Sequence, residues 1–381
     1  MYTRFSFGRL AAFLAAVLFT AGCQDPVAPA GHTRSLTAAT VAPLASGTGI
    51  TLDQQNGTLY ESGTMLAKGF DPTSPHVGDA VVATVYWLGS TNVIDSVIDF
   101  LTDGNQTRPG NTYHLVEYVT SGGISMATYV ATNIQNFPDP NPPGGPVLAV
   151  RAYLSTPVSD GGITISAWTG VGTTLEAALG PHRSAFGAGS SPTIAAAGAI
   201  AVGPGVLAHG ATMANGLVPL DGPSDFTDIG TGSDPFMKIN DRYLVPAAAS
   251  SVDPQWTWQF NAPSTWLATT LALNPPLHFV FTVQPRTTLP LTTMPAVQVT
   301  AVDALGNTIT SYTGAVTVAI GHNGGLVIPG TLSGTRTVTV VNGVATFSDL
   351  SIDQPGNGYT LTAAAAGVTG SESAAFNIGA F

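Results

Sequence analysis

Few side chains in this sequence can do chemistry. Cys23 is the only cysteine among 381 residues, so it has no disulfide partner and its thiol is free for modification. Asp221, Asp225, Asp228 and Asp234 fall within 219–235, among glycines and serines. Calcium takes about six to eight oxygens from flexible acidic loops, so these four are the expected ligands of a Ca2+ ion. The bland alternative is a solvated loop of turn-forming aspartates, since the spacing matches no EF-hand. The seven histidines, at 32, 76, 114, 182, 209, 278 and 322, show no metal-ligand spacing and read as solvated. A glycosidase needs two carboxylates flanking one bond, and no spacing marks such a pair. Neither a G-x-S-x-G elbow nor an H-E-x-x-H pair is present. No catalytic residue and no cofactor besides calcium is expected. All five tryptophans lie between 87 and 266. Aromatic faces stack on sugar rings, but Trp256 and Trp258 alternate with Phe260 at period two, so that pair is assigned to a strand's core face.

Composition narrows the class. Only 9% of residues are charged, whereas Gly (44) and Pro (28) are abundant. Val, Thr and Ala dominate, as in exported all-β proteins. Lys68 and Lys238 are the only lysines. Beyond residue 22 there remain 9 basic and 22 acidic residues, a formal charge of −13. Such a surface repels phosphate backbones, which argues against nucleic acid as a partner.

The N-terminus has Arg4 and Arg9, an apolar run over 10–19, then Thr20-Ala21-Gly22-Cys23. A basic start, a short apolar core and small residues at the cut form a secretory signal, too short to span a bilayer. The segment resembles a bacterial lipoprotein signal, with Thr20 in the first position of the lipobox. That resemblance implies cleavage before Cys23, acylation of its thiol and anchoring in a membrane. Gln24, where an Asp would favour inner-membrane retention, implies the outer membrane. The expected organisation is a signal over 1–22, an anchor and flexible Pro/Ala/Ser/Thr linker over 23–48, and folded units over 49–275 and 277–381.

From 49 to 275, short alternating segments recur between turn signals. Strands are predicted over 81–87, 113–119, 124–131, 147–154, 163–168, 242–248, 255–260 and 266–273. Val81, Ala83, Val85 and Trp87 should share one face, and Val82, Thr84 and Tyr86 the other. Turns are predicted at Asp103-Gly104, Gly122-Gly123, Asp160-Gly161-Gly162 and Asp221-Gly222. One or two helical turns fit 173–179. The segments 136–146 and 180–192 read as longer irregular loops. An antiparallel jelly-roll-like sandwich follows, and the unit resembles concanavalin-like domains of bacterial surface proteins, most of all over 266–273.

Asn274-Pro275-Pro276 marks a boundary. Beyond it, Phe279, Phe281 and Val283 share a face, as do Val297, Val299 and Ala301, and Val316, Val318 and Ile320. Asn342-Gly343 predicts a two-residue hairpin turn. That register pairs Val341 with Val344, Val340 with Ala345 and Val338 with Phe347, and turns Thr339 and Thr346 outward. Tyr359, Leu361, Ala363, Phe376 and Ile378 complete the core. The segments Phe281-Thr282-Val283-Gln284-Pro285, Val297-Gln298-Val299-Thr300-Ala301-Val302-Asp303, Gly306-Asn307, Tyr312-Thr313-Gly314, Gly343-Val344-Ala345-Thr346-Phe347 and Gly358-Tyr359-Thr360-Leu361 are similar to a bacterial immunoglobulin-like repeat of the invasin/intimin type. The resemblance covers nearly all of 277–381 and implies an immunoglobulin-like sandwich.

The expected fold is therefore all-β: two antiparallel β-sandwiches, jelly-roll-like then immunoglobulin-like. The expected function is non-catalytic binding or adhesion to an extracellular glycan or protein, by a protein lipid-anchored at the outer membrane and exposed on the cell surface. Two alternatives stand beside it. One is an envelope polysaccharide-active enzyme with the first sandwich as its body. The other is a purely structural spacer.

Overall fold

Alternating β-branched and aromatic residues suit a pleated strand with at least one buried face. In the computed structural model they form an all-β chain of antiparallel sandwiches, with one helical turn among the described residues, at Leu175–Ala178. The structure describes residues 49–379 except 143, 191, 217–218, 260–263 and 304–305, together with the backbone of 34–35 and 37–38. The predicted signal, Cys23 and Phe260 lie outside the described residues, as does most of the linker. Two short pairings fall inside that linker: 34–35 against 58–59, and 37–38 against 230–231.

The first sandwich is built on two long strands, Thr51–Gly69 and Leu148–Thr169, paired antiparallel along most of their length. Their outer halves, 51–59 and 162–169, join Ala80–Leu88, Ile124–Ala131 and His114–Ser121 in one sheet. Beyond that sheet, residues 148–154 of the second long strand pair with Ile94–Leu101 on their other side. Ala80–Leu88 is consequently buried on both faces. Val81, Ala83, Val85 and Trp87 pack beneath Leu66, Val97, Leu148, Val150 and Ala152. On the other face, Val82 and Tyr86 meet a second sheet through Leu207, Met213, Ile239 and Leu271. That second sheet orders Thr227–Ser233, Met237–Leu244, Leu207–Asn215, Ser264–Leu273 and Leu179–Gly189 side by side. Its outer face is covered by Thr193–Ala196 and Gln255–Trp258.

All five tryptophans are buried, Trp256 and Trp258 completely, as their spacing predicts for that pair. Three expectations are corrected. Residues 180–189 form an edge strand, which Ser264–Leu273 draws out of the predicted loop. The predicted strand 242–248 lies earlier, at Met237–Leu244. Asp160-Gly161-Gly162 runs straight through a strand. These two glycines are needed for close approach: a Cβ on Gly162 would lie 2.2 Å from the Thr58 carbonyl, and one on Gly161 2.9 Å from that of Tyr86.

The second sandwich has its own core, drawn from 277–378 apart from Ala177. Thr337–Thr339, Ala315–Ile320, Leu361–Ala365 and Val368–Glu372 form one side, and His278–Val283, Val297–Val302 and Val344–Phe347 the other. The hairpin turn is as predicted: Asn342 and Gly343 have φ of 51° and 79°, and Val341 and Val344 exchange two backbone hydrogen bonds of 3.0 Å. Beyond that pair its arms part, against the expected pairing of Val340 with Ala345 and Val338 with Phe347. Residues 337–339 join 315–317 on one sheet, while 344–347 join 297–300 on the other. Burial keeps Val340, Ala345 and Phe347 inside even so. A bulge between Phe281 and Val283 turns Val283 outward, away from the face shared by Phe279 and Phe281.

Asn274 ties the two bodies together. It is fully buried, donates its backbone N–H to Ala178 and accepts from the N–H of Gly172, and its side-chain oxygen takes the Ser311 hydroxyl. Ala177 packs into the second core, and Gly367 sits directly on Thr174. The first body thus meets the second at the end bearing 303–314, 341–344 and 366–367.

Candidate metal centre

Among the described residues, one group of three side chains can place metal-ligating atoms together. Atoms of Asp53, His76 and Asp79 all lie within 4.8 Å of one another. The local sequence explains how. Asp53 is the extra residue where Leu52 pairs with Trp168 but Gln54 with Ala167. A bulge of this kind re-aims a side chain. His76 and Asp79 sit on a turn closed by the Asp79 N–H donating to the His76 carbonyl at 3.1 Å, with Gly78 at φ 98°. Asp79 is the last residue before Ala80–Leu88 and is buried. A neighbouring loop contributes Asp139, which accepts the Val77 N–H at 2.8 Å.

The hydrogen bonds knit these groups into one unit. The His76 backbone N–H is shared between Asp53 and Asp79, at 3.1 Å to each, and its Nδ1 lies 3.0 Å from Asp53 Oδ2. Burial and a hydrogen bond with Asp53 push Asp79 up to about 7, while Thr169 and the His76 N–H pull it the other way. The Asp53 hydrogen bond and charge raise His76, with smaller contributions from Asp139 and Asp79. Two carboxylates and one imidazole form a ligand set for a divalent ion such as Zn2+ or Mn2+. The His76 side chain is 65% exposed, so one side of the cluster is open to solvent.

The four aspartates expected to share calcium are placed differently. Asp221 is exposed on a two-residue strand paired with Gln255–Trp258, and Asp225 is exposed beside it. Asp228 accepts from Asn240 Nδ2 and from Thr231, and lies 3.5 Å from Arg242 Nε. Asp234 is buried, and its Oδ1 accepts the N–H groups of Phe236 and Met237 at 2.7 and 2.8 Å. No three of the four bring ligand atoms within 4.8 Å of one another. The neighbour of Asp234 is Asp160, from the strand Leu148–Thr169; burial and the Asp234 charge push Asp160 up to about 7.

Sequence reasoning passed over Asp53, His76, Asp79 and Asp160. Asp53 reaches the others through a bulge, which leaves no periodic trace. His76 and Asp79 carried a weak signal, as an i, i+3 pair in Pro75-His76-Val77-Gly78-Asp79, a turn rather than a helix. No protein-family model matches this chain, and no curated protein matches it at a significant level.

Proposed function

We propose that this protein is a lipid-anchored surface protein that binds an extracellular glycan or protein without turning it over. Cys23 is its acylated residue and the outer membrane its location. The second body is proposed as an invasin/intimin-type immunoglobulin-like module and the first as a concanavalin-like, jelly-roll-like one. The observation that carries this reading is the first body, two packed antiparallel sheets whose connecting loops stand on a rigid scaffold. Rigidly held end loops are where sandwiches present binding surfaces.

The chemistry around His76 supports binding over hydrolysis. A glycosidase separates its carboxyls by about 5–9.5 Å so that a sugar and a water fit between them. Asp53 and Asp79 both accept the His76 backbone N–H, and their ligand atoms lie within 4.8 Å. Both also hold the turn at 76–79, a task that suits a cation site or a structural clasp.

Anchoring and binding are tested separately. Cys23→Ser should release the protein from the membrane fraction or leave it uncleaved; normal processing with membrane retention would refute the anchor. Incubation of the protein with envelope polysaccharides and peptides should show retention without product. Reproducible cleavage that is lost on replacing one Asp or Glu of the first body would establish the enzyme alternative instead.

A further inference from the structure

The free end of the second sandwich carries an unusual set of side chains. Val327 is 94% exposed and Leu291 78%, and Leu289, Leu326 and Ile328 are also exposed. They occupy two loops at the end opposite the junction with the first body. Their placement at one end follows from the pairing. Gly325 bridges to Gly356, Gly356 pairs with Ile378, and Ile378 bridges to Thr288. At about 4.8 Å per strand, Gly325 and Thr288 lie roughly 15 Å apart, and each loop rises beside them.

Both loops are closed on themselves. Asn323 clasps the longer one: its Nδ2 donates to the Gly330 carbonyl at 2.8 Å, and its Oδ1 accepts the N–H groups of Gly330 at 2.8 Å and Gly325 at 3.3 Å. The Leu326 N–H donates to Pro355, that of Leu291 to Ile352 and that of Thr292 to Leu289. Pro290 and Pro329 have no N–H to satisfy. No charged residue occurs over 287–296 or 323–335. Asp353 lies at the base, where it accepts the Thr331 N–H.

We propose that this end inserts into the apolar region of a lipid bilayer. Two observations favour lipid over a protein partner. Hydrocarbon demands that backbone donors be satisfied internally, and here the N–H groups of Gly325, Leu326, Gly330, Leu291 and Thr292 already have acceptors, while Pro290 and Pro329 have none to satisfy. A protein interface surrounds its apolar centre with a polar and charged rim, whereas the stretches 287–296 and 323–335 that carry the exposed apolar side chains hold no charge, and the exposed Arg286 and Arg336 only flank them. The bilayer's nearness rests on the anchoring reading of Cys23. The tip would then give the tethered protein a second, reversible hold on the membrane, of the kind that turns one weak anchor into stable attachment.

The test uses a chain beginning at Gln24, which keeps every described element and carries no acyl group, so its outcome is independent of Cys23. Flotation with neutral phosphatidylcholine vesicles should show binding that is insensitive to salt, because the vesicle surface carries no net charge. Val327→Asp and Leu291→Asp should each weaken that partition by about ten-fold or more, with unchanged thermal unfolding, because both side chains are exposed. Every native tryptophan is buried, so Val327→Trp supplies a clean reporter: its emission should shift to the blue and be quenched by brominated lipid. No binding by the parent chain, or binding indifferent to both Asp variants, would overturn the proposal. A dimer that depends on Val327 in solution, without vesicle binding, would also overturn it and assign the tip to a second copy of the chain.

Discussion

Asp241 shows how one side chain can record the character of this interior. It is buried, takes the Tyr86 hydroxyl across the two sheets of the first sandwich, and burial pushes it up to about 7. A carboxyl whose folded pKa is raised stabilises the fold fully below its unfolded value near 4, and loses that contribution as pH rises to 7. Asp79 and Asp160 act in the same sense. Buried His209, held down at about 4, opposes them between about 4 and 6.5. Comparison with Asp241→Asn isolates the one group. The variant keeps an acceptor for Tyr86 and should match the parent's stability near pH 4.5. At pH 7.5 it should exceed it by an amount on the order of 1–3 kcal/mol. Urea unfolding at the two pH values checks this, and parallel curves would show that Asp241 is ionised in the fold. A second expectation concerns the His76 cluster. If Asp53, His76 and Asp79 take a divalent ion, Zn2+ should raise the melting temperature of the parent by linkage. It should leave Asp79→Asn unmoved. Identical scans of the parent in Zn2+ and in chelator would reduce the cluster to a clasp between loops.

At the level of strands, the glycines divide by task. Gly343 turns a hairpin in the left-handed region, and a Cβ there would also lie 2.7 Å from the Ile309 carbonyl oxygen and from Thr308 Cγ2. Gly343→Val should cost about 1 kcal/mol or more from backbone strain alone, read as a lower unfolding midpoint. Gly162 lies in a strand, where Gly162→Ala drives a methyl into the Thr58 carbonyl. That variant should lose about 2 kcal/mol or more, or fail to fold. Period-two alternation made most of this level legible: the two faces of 80–88, the buried tryptophan pair, and the inward Val297, Val299, Ala301, Leu361 and Ala363. What stayed hidden depended on partners far along the chain. Asp160-Gly161-Gly162 has the composition of a turn, and only the close approach of 58–59 and Tyr86 makes it strand. The edge strand 179–189 is polar and Gly-rich, and it is ordered by pairing with 264–273, with His182 also held 2.6 Å from Glu117. Asp53 reached His76 by a bulge, and a bulge is a defect in the very periodicity that sequence reading relies on.

Across the whole molecule, the question is whether the two bodies act as one. Gly172, Asn274 and Ser311 form a buried hydrogen-bonded joint, with Thr174 and Gly367 in contact beside it. Breaking a buried network leaves polar groups unpaired and is costly. Asn274→Ala should therefore uncouple the bodies. Calorimetry should show two separated transitions in the variant where the parent shows one, or a narrower gap in the parent than in the variant. Indistinguishable scans would mean that the junction transmits no stability. Gly367→Leu, which forces a side chain against Thr174, should act in the same direction without touching Asn274.

The long pair Thr51–Gly69 and Leu148–Thr169 also sets an order of events in time. Thr51 pairs with Thr169 and Gly69 with Ala149, so the central ladder joins residues roughly eighty to a hundred and twenty apart. Loop closure of that length precedes any reward from pairing, and such topologies fold slowly. A chain emerging N-terminus first cannot begin this ladder until the residues near 148 have appeared, and cannot finish it before 169. Until then Ala80–Leu88 and Ile124–Ala131, buried on both faces in the finished fold, stand exposed as aggregation-prone apolar strands. Refolding from urea should accordingly be slower for the first body than for the second, whose pairings are mostly nearer in sequence, and its yield should fall as protein concentration rises.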